Sequence, residues 1–95
     1  MTGSEIIKLS LPILRTRGWT IFHFGHNHPM PQGAKGFPDI VGFRADETLT
    51  IEVKGDEDRI RPEQRKFAET MQAFVGPHLR YCLAQSVKDV EEASR

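Results

Sequence analysis

The sequence predicts an α/β fold: a four-stranded mixed sheet flanked by helices, with elements in the order α-β-β-β-α-β-α. Three observations predict it. Residues 2–17 and 62–75 carry apolar side chains at helical spacing. Residues 36–54, GFPDIVGFRADETLTIEVK, read as two short apolar strands joined by a polar turn. A strand pattern at 78–84 follows the second helix, and such a crossover lays the last strand parallel to the third.

The hairpin at 36–54 holds three residues that break its apolar pattern. Asp39 opens its first strand, and Glu52 and Lys54 close its second. Side chains alternate between faces along a strand, so Glu52 and Lys54 share one face while Ile51 and Val53 take the other. A four-residue loop at 45–48 pairs Arg44 with Leu49, Val41 with Glu52 and Asp39 with Lys54, which puts Asp39 on the face of Glu52. Diagonal neighbours of this kind have Cβ atoms roughly 7–8 Å apart, a span two carboxylates can close around one cation. Hard oxygen ligands with room for water and phosphate suit Mg²⁺ or Mn²⁺. Lys54, beside them, can orient or deprotonate a water and offset charge developing on a phosphate. These are the parts of a phosphodiester hydrolase. A register slip of one residue would send the two acids to opposite faces and end the argument.

In chain order, the first helix takes residues 2–17, with Thr2 and Glu5 spaced as a capping box and Gly18 suited to its C-terminus. Pro12 predicts a kink or break near Ser10. Residues 19–24 read as the first strand, with Thr20, Phe22 and Phe24 on one face and Trp19, Ile21 and His23 on the other. A Gly/Pro-rich loop then runs to Asp39 and is expected to wall one side of a cleft. His26 and His28 lie in it; with no cysteine or third histidine nearby they make a poor zinc site, and a phosphate contact or plain solvation fits them better. Lys35 has the stronger claim to a phosphate contact, and Gly33 and Gly36 suit close backbone approach to a ligand. After Lys54, a charged loop leads to Pro62 at the second helix's first turn, with Phe67, Met71, Phe74 and Val75 as its core stripe. The acids at 56–58 lack calcium-loop spacing and read as a solvated turn. In the last strand Cys82 reads as packing rather than as a nucleophile. Ser86 caps a final helix over 87–93, with Asp89 completing a capping box.

Pro38-Asp39 followed by Glu52-Val53-Lys54 matches the Pro-Asp…(Asp/Glu)-x-Lys pattern of the restriction-endonuclease-like nuclease superfamily. The Gly-Phe-Pro-Asp-Ile-Val lead-in, the Ile-Glu-Val-Lys strand and Gln64 resemble its virus-type replication-repair nuclease (VRR-NUC) branch most. The resemblance covers nearly the whole chain and implies a restriction-endonuclease-like core. It implies that Asp39 and Glu52 ligate the metal, that Val53 lends its backbone carbonyl, and that Gln64 sits beside the site to orient the lysine or a phosphate. Helix-borne Glu5 has two readings, a further metal ligand by resemblance or a plain capping acid. Stand-alone members of the branch imply a homodimer cutting branched DNA such as four-way junctions, in phage or bacterial replication, repair or recombination.

Composition sets the outer bounds. At 95 residues, 38% hydrophobic and 27% charged, the chain reads as one domain spanning residues 1–95. No apolar run is long enough for a membrane span, and the N-terminus lacks a signal-peptide block. A single cysteine excludes an internal disulfide and a cysteine-based zinc site. An intracellular setting, the cytoplasm of a bacterium or a phage-infected cell, is expected. Formal net charge is zero, yet its distribution is uneven. Residues 1–38 hold four bases against Glu5, residues 39–58 hold seven acids against Arg44 and Lys54, and residues 59–80 hold five bases, Arg61 and Arg65 among them, against two acids. An acidic centre between basic flanks suits a metal site inside a phosphate-binding rim. The alternative from another class is a non-catalytic nucleic-acid-binding or structural domain that keeps the fold.

Overall fold

The structure, a computed structural model, describes residues 1–24 and 34–95. Helix α1 (Gly3–Thr16) starts with the capping box read from the sequence: the Glu5 N–H donates to Thr2 Oγ1 at 3.1 Å and the Thr2 N–H to Glu5 Oε1 at 2.9 Å. Of the kink or break expected near Ser10, the break does not occur: the helix is continuous through Pro12. Pro12 lies on the exposed side, as does Lys8, whose carbonyl loses its helical donor. The missing bond thus falls where water can replace it.

Strands β1 (Thr20–His23), β2 (Ile40–Arg44), β3 (Glu47–Val53) and β4 (Leu79–Ala84) form one sheet in the order β1-β2-β3-β4. β1 and β2 pair antiparallel, as do β2 and β3, and β4 pairs with β3 in parallel, as the crossover through α2 (Pro62–Gln72) requires. One expectation is corrected at the hairpin. Arg44 pairs with Glu47, not Leu49, so the loop is the two-residue turn Ala45-Asp46 and the register moves by two residues. Ala45 takes φ +50°, the left-handed region that primed hairpin turns need and that alanine disfavours. No Asn-Gly or Asp-Gly marks the turn in the sequence. A shift of two leaves every side chain on its expected face. It carries Asp39 from opposite Lys54 to the position across from Glu52, one step beyond the Ile40–Ile51 pair.

One face of the sheet is the core. Ile40, Leu49, Ile51 and Val53 are fully buried there, packed with Ile6, Ile7 and Leu14 of α1, Trp19, and Val90 of α3 (Val87–Ala93). Each such aliphatic side chain contributes about 1.5–3 kcal/mol on leaving water. The Trp19 indole N–H donates to the Ser94 carbonyl at 2.9 Å. Arg44 lies 4.1 Å above the Trp19 ring and donates to the Arg17, Ser94 and Arg95 carbonyls. Arg80 donates to the Ala93 and Arg95 carbonyls and pairs with Glu47 at 2.7 Å. Arg80 therefore fastens the chain end rather than joining the basic rim that its place in the sequence suggested. In α3, Ser86 caps through Asp89 N–H, but the Asp89 carboxylate accepts from Gln85 instead of closing the expected box.

The opposite face carries Val41, Phe43, Thr50, Glu52, Tyr81 and Leu83, and α2 covers it in part. Helix α2 ends at Gln72, short of the apolar stripe's expected end. Phe67 and Met71 are half-buried, whereas Phe74 and Val75 lie beyond the helix and are exposed. Two glycines bring the loops onto the helices. A Cβ on Gly36, whose φ is +86°, would stand 2.4 Å from the Glu63 carbonyl oxygen, and one on Gly55 would stand 2.4 Å from the Gly3 nitrogen. Gly36 thus meets the first turn of α2 rather than a ligand. Phe37 continues the contact, edge-on to Phe24 and to Phe67 at 5.6 Å in each case. His26, His28 and Gly33 lie outside the described residues.

Candidate active site

Three elements meet at the C-terminal end of β3. Pro38, fully buried, and Asp39 lead into β2, and Asp39 Oδ2 accepts the Val53 N–H at 2.8 Å. That bond ties the loop's acid to the backbone between Glu52 and Lys54. The Val53 side chain is buried in the core, leaving only its backbone on the site's side. Glu52 and Lys54, two residues apart, share the face under α2 and are 2% and 5% exposed.

Gln64 joins them. It stands in the first turn of α2, where Pro62 fits because the missing N–H would have no helical acceptor. Its Oε1 accepts from Lys54 Nζ at 2.6 Å and from the Arg61 N–H at 3.0 Å, while its Nε2 donates to Glu52 Oε1 at 2.8 Å. One buried amide thereby satisfies the helix start and holds a carboxylate and an ammonium that are 3.7 Å apart. Reaching back from the third helical position is the glutamine half of a capping box, and that local geometry aims the amide at β3.

The carboxylates are less at rest. Glu52 Oε2 is buried and meets no hydrogen-bond partner among the described residues. Burial, then the Asp39 charge, pushes the Glu52 carboxyl up to about 8, against the pull of Lys54. Asp39 can hydrogen-bond Glu52 only through a shared proton; with both ionised, no donor remains for Oε2. A divalent cation satisfies the same two groups without the proton. The donor set, two hard carboxylates one of which has an orphaned oxygen, fits Mg²⁺ or Mn²⁺. Among the described residues no three His, Cys, Asp or Glu side chains cluster closely enough to hold an ion by themselves.

The side chains of the other expected residues that the structure describes lie outside this hydrogen-bonded group. Glu5 stands at the start of α1 with its carboxylate in the cap. Arg65 borders a cavity that reaches Glu52 and Gln64. Lys35 borders a separate concavity with Lys66 and Phe67, and the exposed Arg61 guanidinium lies 3.9 Å from Glu63. Cys82 is half-buried on the core side of β4, and burial raises its thiol to about 11, so it stays protonated. Sequence reasoning gave Tyr81 no role. Its ring shares the Glu52 face, across from Thr50, and burial followed by the Glu52 charge pushes its hydroxyl to about 12. Alternation along β4 was visible, but its pairing offset against β3 was not, and only the offset brings Tyr81 beside Glu52.

A mixed four-stranded sheet bearing an acid pair, a buried lysine and a helix glutamine at one strand end is the arrangement of restriction-endonuclease-like nucleases. A family model for the VRR-NUC domain matches residues 26–87. The chain belongs to the VRR-NUC family. Its members are nucleases, which act on DNA and use divalent metal ions. A comparison with curated proteins finds no match.

Proposed function

We propose that this protein is a Mg²⁺- or Mn²⁺-dependent DNA endonuclease that hydrolyses phosphodiester bonds in branched DNA such as four-way junctions. The observation that carries the reading is the Glu52–Gln64–Lys54 chain of hydrogen bonds beside Asp39, with the buried Oε2 of Glu52 lacking a donor among the described residues. Asp39 and Glu52 would hold the cation, with the Val53 carbonyl as a further ligand; Glu5, whose carboxylate caps α1, keeps the capping role that was its other reading. A bound divalent ion neutralises phosphate charge and lowers the pKa of a water. Gln64 fixes the Glu52 carboxylate and, through the same amide, holds the Lys54 ammonium, which is 5% exposed. Lys54 there orients the attacking water or donates to the phosphate as charge grows on it, and low exposure strengthens that interaction. Lys35, Arg61, Arg65, His26 and His28 contact the nucleic-acid backbone.

A homodimer acting intracellularly, in phage or bacterial DNA replication, repair or recombination, suits a chain this small. A nucleic-acid footprint of about 1,000 Å² would take about a sixth of the 5965 Å² that one copy exposes. No helix among the described residues is long and apolar enough to cross a membrane. The test is cleavage of supercoiled plasmid and of a four-way junction with Mg²⁺ or Mn²⁺, alongside sedimentation of the free protein. Wild type should cut, and Asp39→Asn and Lys54→Ala should lose at least about 100-fold. Equal cleavage by all three would end the catalytic assignment. Binding without cleavage would favour a non-catalytic nucleic-acid-binding domain.

A further inference from the structure

Between α2 and β4 lies a cavity of about 430 Å³ that opens onto Glu52, within the roughly 300–1,000 Å³ of small-ligand sites. Tyr81 and Leu83 of β4 form one wall, with Ala68 of α2 and Ile60 of the preceding loop opposite. Leu83 is 37% exposed and Ile60 41%, so apolar surface is open to solvent directly beside a buried carboxylate. We propose that this cavity takes an unpaired nucleobase of the substrate strand, next to the phosphate being cut; the inference rests on the nuclease reading above.

The chemistry of the walls selects that occupant. A sugar-phosphate would lose its hydration against Leu83, Ala68 and Ile60 and face the Glu52 and Glu69 carboxylates with Arg65 as its one cation among the described residues, whereas every base has an apolar π-face that stacks on an aromatic ring. A paired base offers no such face, because its neighbours in the duplex cover both sides. Tyr81 keeps its proton and so brings no charge against the strand. The strand's path is also marked. Ile60, Arg65 and Glu69 are shared with a second concavity that runs on to Pro62 and Lys66, so phosphates leaving the cavity meet two cations beside one carboxylate. The site would favour DNA with an unpaired nucleotide at the cut, as at a flap or branch point.

The test reads binding apart from cleavage. Single-stranded oligonucleotides with 2-aminopurine at successive positions, and matching strands with an abasic site, are titrated in EDTA with the full chain. One or two positions should change fluorescence, and an abasic site there should weaken binding on the order of 5- to 100-fold, the range that base–aromatic stacking produces. Tyr81→Leu should weaken the intact strand at least five-fold and leave the abasic strand unchanged, and Tyr81→Phe should bind as wild type. Ala68→Leu, which fills the cavity while removing nothing, should act as Tyr81→Leu does. Equal affinity of wild type for intact and abasic strands, or no binding of either, overturns the proposal. So does an Ala68→Leu variant that alters sedimentation but not oligonucleotide affinity, which would assign the cavity to a protein partner. Plasmid cleavage in Mn²⁺ separates the two readings. Cutting with no base dependence retires the base site alone, and base-dependent binding with no cutting of any DNA retires the nuclease assignment.

Discussion

Replacing Gln64 with leucine removes three hydrogen bonds while keeping nearly the same volume, so little cavity forms. One of the bonds is to the charged Lys54 Nζ, at 2.6 Å, and contributes about 1.5–3 kcal/mol. The bond to Glu52 Oε1, at 2.8 Å on a carboxyl that keeps its proton without metal, contributes about 0.5–1.5 kcal/mol. The Arg61 N–H lies at a helix start, where water can replace its acceptor, so its loss stays near about 0.5 kcal/mol. Lys54 and Glu52 can close their 3.7 Å separation and recover part of what is lost. The net expectation is a loss of about 2–4 kcal/mol from a total of roughly 5–14 kcal/mol for 95 residues. Urea unfolding should show a lower midpoint at unchanged slope. In a Lys54→Met background the same substitution should destabilise by about 1–3 kcal/mol less, because the two side chains act through one bond. Metal-dependent cleavage should fall about 100-fold in kcat with KM little changed, since Lys54 loses its aim and DNA contacts remain. A stability change under about 0.5 kcal/mol together with normal cleavage would refute the role given to the amide.

The Glu52 carboxyl, near 4.5 when unfolded and about 8 when folded, keeps a proton in the folded state that the unfolded chain has already released between those values. Metal-free stability should therefore fall as pH rises from about 4.5 to 8, by at most about 1.4 kcal/mol per pH unit. Glu52→Gln should flatten that slope, and an unchanged slope would exclude Glu52 as its source. A cation competes with the same proton, so Mn²⁺ affinity should climb up to about tenfold per unit toward pH 8. Calorimetry in buffers of different ionisation enthalpy should detect about one proton released at pH 7, and none would contradict the shared-proton arrangement. At the hairpin, Ala45→Gly should stabilise by about 0.5–1 kcal/mol, relieving a left-handed alanine at glycine's smaller entropic cost. Destabilisation in a thermal melt would show that Ala45 is not strained.

Much of the fold was legible because local chemistry and global structure agree. Thr2 and Glu5 form their box, α3 spans Val87–Ala93 as read, and Ile40, Leu49, Ile51 and Val53 bury the face that alternation assigned them. Three local signals did not decide the structure around them. Pro12 does not break α1, because its missing bond faces solvent while the buried side of the helix stays packed. Phe74 and Val75 continue the apolar stripe, yet α2 stops at Gln72 and leaves both exposed. Arg80 reads as part of a basic rim and instead fastens the chain end to β4.

For the candidate site, the sequence by itself determined which residues share a face. Side-chain direction along a strand has a period of two, so any even change of register leaves Asp39, Glu52 and Lys54 together. The two-residue turn at Ala45-Asp46 was such a change, and the grouping survived an error in the pairing. Which residue stands across from which was left to the tertiary structure, because turn length depends on a strained alanine that no residue pattern announces. The structure alone brought Asp39 across from Glu52, and set Gln64 between Glu52 and Lys54. It alone also opened the cavity between Tyr81 and α2. Each of these depends on distances between elements far apart in the chain, and such distances are decided by packing rather than by local pattern.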